Sequence, residues 1–208
     1  MLDRRRPAGG SAAWRQAYDH ARGPRRTGRG GADHHCTGKG SSVLFDGRPP
    51  DDRLGWAGAP ARKGVESRLR TLAVHETHDS GLATQLRLEK NTFACVERTR
   101  ELVADATTVL YERSYLPPVS VIRELPAQGL GQDSLAEVLL RAGLRPDHGE
   151  QRVSGRRIDA HEAELLLRQP GNWFLDARRT SRAADGSFAE HVAGLLDPDH
   201  FQLTIAFG

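Results

Sequence analysis

The sequence predicts an α+β fold, an antiparallel sheet with flanking helices, from about residue 66 onward. Three observations carry this: short runs alternate apolar and polar residues as strands do, two segments open with helix-capping signatures, and Asp185-Gly186 marks a tight hairpin.

Residues 68–74, RLRTLAV, place Leu69, Thr71 and Ala73 on one face and Arg68, Arg70, Leu72 and Val74 on the other, so they read as the first strand. Asp79 then stands as the N-cap of a short helix in which Leu82, Gln85 and Leu86 recur at helical spacing. Residues 93–103 and 108–116 are rich in β-branched and aromatic side chains, and the turn-like Ala104-Asp105-Ala106-Thr107 between them predicts a hairpin. Pro117 and Pro118 end its second strand, since proline cannot continue the ladder.

Ser134 and Glu137 form a capping box, opening a helix whose Leu135, Val138, Leu139 and Ala142 make one apolar stripe, closed by Gly143. Asp159 and Glu162 repeat that logic, with Ile158 and Ala163 in staple positions and Leu165, Leu166 and Leu167 completing a helix before Pro170. Residues 173–182 and 187–196 flank Asp185-Gly186 as paired strands, and Phe201, Leu203, Ile205 and Phe207 alternate in a final one.

The first 65 residues differ in texture. They hold 13 Lys+Arg against 6 Asp+Glu, a charge of +7, whereas the remainder carries 17 against 21, or −4. They also contain 12 of the 22 glycines and show no helical or strand periodicity. Trp14, Tyr18, Val43, Leu44, Phe45 and Trp56 are too sparse to offset the ordering entropy, roughly 1–2 kcal/mol per residue, so the segment is expected to be largely disordered. Arg22, Arg25, Arg26 and Arg29 would neutralise phosphates if nucleic acid were near, or form a solvated tail with no specific partner. The adjacent His34, His35 and Cys36 do not suit one tetrahedral metal ion.

No stretch approaches the roughly 18 apolar residues of a membrane helix, and Arg4, Arg5 and Arg6 precede no signal-peptide core, so no membrane partner and a cytoplasmic location are expected. Cys36 and Cys95 are the only cysteines and read as free thiols. No phosphate loop, metal set or nucleophile elbow is present, and no cofactor is expected.

Taken in order, VERTRELVADATTVLYERSYLP, DSLAEVLLRAGL, RIDAHEAELLL and ARRTSRAADGSFAEHVAGLLDPDHFQL resemble the UTRA domain, the effector-sensing part of GntR/HutC-family transcription regulators. The resemblance covers residues 66–208. It implies a chorismate lyase-like fold, a small anionic metabolite as effector, a homodimer, and operator DNA as partner of the intact regulator.

Arg98 and Arg100 match the family's R-x-R strand; lying two apart, both guanidinium groups leave one face and can converge on a phosphate or carboxylate. The alternative is a solvated surface row beside Glu97 and Glu101 on the opposite face. Ser134 matches a helix-start serine that meets the same anion, or else simply caps its helix. Glu112 and Glu190 match carboxylates that accept ligand hydroxyls in the family's sugar sensors, or are exposed strand glutamates.

Three departures argue against a sugar phosphate. The ADAT connection is longer than the usual turn and threatens to shift Glu112 relative to Arg100; Leu196 replaces a tyrosine; Ala136 stands where an aromatic is common. The family's winged-helix head, which needs an amphipathic recognition helix, is not visible in residues 1–65, so that segment reads as its remnant or replacement. The competing function is a lyase-type enzyme on the same fold, with Glu112, Glu190 and His191 as candidate acids or bases.

Overall fold

Strand alternation and two capped helices assemble a six-stranded, wholly antiparallel sheet in a computed structural model that describes residues 41–45, 66–131 and 134–205. The strands are β2 (Ser67–His78), β3 (Thr92–Leu102), β4 (Thr108–Leu116), β5 (His148–Arg157), β6 (Trp173–Arg182) and β7 (Phe188–Leu196), in the order β2-β3-β4-β7-β6-β5. A separate two-stranded ribbon pairs β1 (Ser41–Phe45) with β8 (Phe201–Ile205). The helices are α1 (Ser80–Leu86), α2 (Leu125–Gln128), α3 (Leu135–Arg141) and α4 (Ala160–Leu166), with a 3-10 turn at Ser120–Glu124. The predicted α+β architecture holds.

Most local expectations hold as well. Asp79 caps α1 through the Leu82 amide, and Ser134 with Glu137 and Asp159 with Glu162 each close a reciprocal capping box. The Asp185-Gly186 turn forms with Gly186 at φ 83°, a left-handed conformation that glycine adopts without strain.

Three expectations need correction. Val43, Leu44 and Phe45, assigned to a segment without regular structure, lie in β1, because the expected final strand β8 pairs with it antiparallel, a pairing that no pattern within residues 41–45 announces. The rest of the 1–65 reading, including His34, His35, Cys36 and the arginines from Arg22 to Arg29, falls outside the described residues up to Val65. The edge strand β5 was not anticipated: in HGEQRVSGRR only Val153 is a large apolar residue, so the alternation test has nothing to register. Its Gly149 is required by packing, since a Cβ there would sit 2.1 Å from the Thr180 carbonyl oxygen. Lastly, α4 ends at Leu166; Leu167 turns left-handed at φ 53° and leaves its side chain 72% exposed.

The sheet is covered on both faces, and successive strand residues alternate between them. On one face, Ala94, Val96 and Leu116 pack beneath α2, α3 and the 3-10 turn, joined by Ile122, Leu135 and Val138. Further along the same strands, Leu102, Leu110, Ala177, Val192 and Leu196 form a second cluster that takes in Phe201 of β8. On the opposite face, α4 inserts Leu166 among Tyr111, Phe174 and Leu195, while α1 packs Leu82 and Leu86 against Phe93 and Phe188.

The neighbouring leucines at the end of α4 give a test of this docking. Leu166→Ala empties a fully buried position and is expected to cost about 2–4 kcal/mol in urea unfolding. Leu167→Gly removes an exposed side chain from a left-handed position and is expected to be neutral or slightly stabilising. Equal losses in the two variants would mean that α4 is not seated as described.

Candidate functional site

The two apolar clusters on the α3 side of the sheet do not meet: between them the same face carries buried polar residues. Antiparallel register sets Arg98 on β3 directly opposite Glu112 on β4, and Arg100 opposite Leu110. Strand parity places Arg98, Arg100 and Glu112 on one face with Val96 and Leu110. All three are nearly inaccessible, at 7%, 5% and 1% exposure.

Arg98 Nη2 and Glu112 Oε1 form a close ion pair. Arg100 Nη1 donates to Ser67 Oγ at 2.6 Å, tying β3 to the edge strand β2. Burial lowers the Arg100 pKa from its ordinary value; nearby Glu112 opposes that shift and nearby Arg98 adds to it. Desolvation and a like charge both disfavour its cationic form, so an incoming anion would be welcome here.

The band continues across the sheet. Glu190 on β7 is 4% exposed and accepts from Arg179 Nη2 at 3.1 Å, with Arg179 on β6. Ser114 Oγ, Ser181 Oγ, Gln151 Nε2 and Arg98 Nε are buried and make no hydrogen bond among the described residues. Four such atoms on one face are uncommon, because buried polar groups are ordinarily paired. They offer hydroxyl, amide and guanidinium groups to whatever enters.

The expected site residues therefore fall into three groups. Arg98, Arg100 and Glu112 come together, and neither the solvated-row nor the exposed-glutamate alternative describes them. Glu190 lies on the same face, buried against Arg179. Ser134 stands apart at the start of α3, where its hydroxyl donates to Glu137 Oε2 at 2.8 Å and accepts from the Glu137 amide at 3.2 Å. An anion reaching Ser134 must displace the Glu137 carboxylate.

The longer connection between β3 and β4 does not pull Glu112 away from the arginines. A register shift at Arg100/Glu101 absorbs the extra chain before Thr108, and Ala106 takes a left-handed φ of 56° in the turn. Arg179, Ser114, Ser181 and Gln151 escaped the sequence reading. Counting back symmetrically from Asp185-Gly186 pairs Ser181 with Glu190 and Arg179 with Val192, the register observed, so this signal was present in the sequence.

His191 belongs elsewhere. It pairs across the sheet with Tyr115 and Thr180, and its Nδ1 lies 2.9 Å from Thr180 Oγ1, on the face opposite Glu112 and Glu190. The sheet thus separates His191 from Glu112 and Glu190, which share the other face.

This arrangement can be compared with known proteins. The model of the UTRA domain matches residues 62–202. The chain belongs to the UTRA domain family. A Streptomyces coelicolor protein named as an uncharacterized HTH-type transcriptional regulator is 30% identical over 88 residues, 42% of this chain and 32% of that protein. The chain thus spans about a third of the length of the curated relative it matches.

Solved structures share the UTRA fold. PhnF from Mycobacterium smegmatis matches with a TM-score of 0.58 at 21% identity, over 70% of this chain and 64% of that one. A domain described as the ligand-binding domain of a GntR-family transcriptional regulator from Bordetella bronchiseptica gives 0.57 at 17%, over 69% and 90%. A GntR-family regulator from Enterococcus faecalis gives 0.56 at 20%, over 67% and 100%. The antiparallel, chorismate lyase-like α+β fold of this UTRA domain is the one expected from its sequence.

Two measurements probe the electrostatics of the sheet. Glu112→Gln leaves Arg98 buried without its carboxylate and is expected to lower unfolding free energy by about 3–5 kcal/mol; adding Arg98→Met recovers more than half of that loss. Simple additivity of the two substitutions in urea titrations would show that the pair is not coupled. For His191, burial, followed by the nearby Arg178, lowers the imidazole pKa. The unfolded chain therefore takes up a proton first, and stability falls as pH drops below about 6.5, levelling off below the folded value. His191→Gln removes that component from the pH profile; an unchanged slope in the variant would contradict it.

Proposed function

We propose that this UTRA domain is the effector-sensing part of a GntR/HutC-type transcription regulator and binds a small anionic metabolite in the band around Arg98, Arg100, Glu112 and Glu190. The observation that carries this reading is the burial of Arg98, Arg100, Glu112 and Glu190, with half-buried Arg179 beside Glu190, on one sheet face between two apolar clusters. Arg98 Nε on this face is buried without a hydrogen bond among the described residues, and a carboxylate or phosphate would accept from it. Buried charged groups are costly unless they are paired, so a ligand completing their bonds has free energy to gain.

The two carboxylates and the hydroxyls of Ser114 and Ser181 suit hydroxyl or amine groups on the remainder of the ligand. Ser134 joins the site when the ligand's anion replaces Glu137 at the start of α3. The domain acts as a binding module without catalysis, since its polar band offers charge complementarity and no arranged acid, base and nucleophile.

In the intact regulator the effector favours one arrangement of a homodimer over another, and its differential affinity for the two sets how operator DNA is held. Among the described residues no helix is long and apolar enough to cross a membrane. A cytoplasmic protein that meets both metabolite and DNA fits this reading.

Isothermal titration of the full chain with a panel of small carboxylates and phosphates tests the site. Arg98→Lys and Arg100→Lys keep the charge but lose the planar fork, and each is expected to weaken binding about tenfold or more. Retained affinity in both variants, with circular dichroism unchanged, would place the anion elsewhere.

A further inference from the structure

The opposite face of the sheet carries a second cluster that the effector reading does not use. His75 on β2 and Cys95 on β3 are direct cross-strand partners, and Glu97 follows Cys95 by two residues, so all three leave the same face. Their donor atoms, an imidazole nitrogen, the thiol sulfur and a carboxylate oxygen, lie within 4.8 Å of one another. His75 Nε2 is 3.8 Å from Glu97 Oε1.

We propose that His75, Cys95 and Glu97 form a binding site for a divalent metal ion of zinc type. Sulfur, nitrogen and oxygen donors in one site suit an ion of borderline softness and fit no dedicated calcium or magnesium cage. Metal–ligand bonds of about 2.0–2.3 Å require donors roughly 3.5 Å apart, so the cluster needs to contract by about 1 Å. His75, with its side chain 44% exposed, is the member able to move, and it opens the site to solvent from the sheet edge.

The surroundings favour a fixed carboxylate. Tyr111 donates its hydroxyl to Glu97 Oε2 at 2.5 Å, which leaves Oε1 as the oxygen nearest His75. Such outer hydrogen bonds orient metal ligands and tune their basicity. Cys95 is buried as a free thiol, and burial with the neighbouring Glu97 pushes it up to about 12. Without metal the thiol is therefore protonated and inert; ligation transfers its proton to solvent as the sulfur–metal bond forms.

Arg113, the cross-strand partner of Glu97, supplies the opposing charge. Its residue is exposed, so the guanidinium can turn outward when the ion enters. Thiolate and carboxylate together neutralise a doubly charged ion, leaving a fourth tetrahedral position for water. Bound metal would clamp edge strand β2 onto β3, on the other side of the sheet from the Ser67–Arg100 bond that joins the same two strands.

The test uses the full chain, stripped of metal, titrated with cobalt(II) and with zinc(II). The expected result is one equivalent of cobalt showing a thiolate-to-metal charge-transfer band, displaced by zinc. Cys95→Ser abolishes the band, and His75→Gln, at a half-exposed position on the sheet edge, weakens cobalt affinity at least tenfold. Cys36→Ser leaves the spectrum unchanged. A band lost in Cys36→Ser and kept in Cys95→Ser, or no band in a folded wild-type chain, overturns the proposal.

Discussion

Everything distinctive about this domain follows from the cost of burying charge in the middle of a sheet. The Arg98–Glu112 ion pair occupies a row that, by register and burial alone, would hold apolar side chains like its neighbours Val96 and Leu110. Replacing such a pair with well-packed hydrophobic residues is often neutral or stabilising, so the pair is not explained by stability. On the proposed effector reading it keeps guanidinium and carboxylate groups available on strands, with their positions fixed on either side by apolar packing.

The same constraint divides the labour between the two faces. The α3 face has helices over one end only of its polar band, and the second apolar cluster draws in Phe201 from the ribbon formed by β1 and β8. The α4 face is tied down by ion pairs: Arg156 holds Glu162 of α4 at 2.5 Å and Asp176 of β6 at 3.3 Å, so that helix is latched to the sheet. Charge is thus used structurally where it can reach solvent and stored where it cannot. Phe201 belongs to the apolar cluster beside the band while its strand pairs with β1.

What the sequence made legible was whatever local chemistry determines. Asp79, Ser134 and Asp159 cap helices because a side-chain oxygen and a nearby amide suffice, and Asp185-Gly186 turns because glycine tolerates positive φ. What escaped was set by partners distant in the chain. β5 is a strand because β6 offers it an edge, β1 because β8 does, and neither carries enough alternation to announce itself. For the site, spacing put Arg98 and Arg100 on one face, and the family resemblance supplied Glu112 and Glu190. Arg179 and Ser181 were reachable by counting the hairpin back from Asp185-Gly186, which pairs Ser181 with Glu190, but neither residue type announces itself without that pairing.

Register also explains why one short strand pair can serve two chemistries. Residues of β3 alternate, so Arg98 and Arg100 enter the band while Cys95 and Glu97 face the other way, toward His75 and Tyr111. A slip of one residue between β3 and β4 would exchange the two sets, placing a thiol and carboxylate in the band and both guanidinium groups outside it. The bulge between Thr71 and Ala73 lies between the two sets, so the pairing of His75 with Cys95 is fixed independently of the pairing of Ser67 with Leu102 near Arg100. Each face of the β2–β3 pair can therefore hold its own geometry, and the edge strand β2 is the element on which both depend.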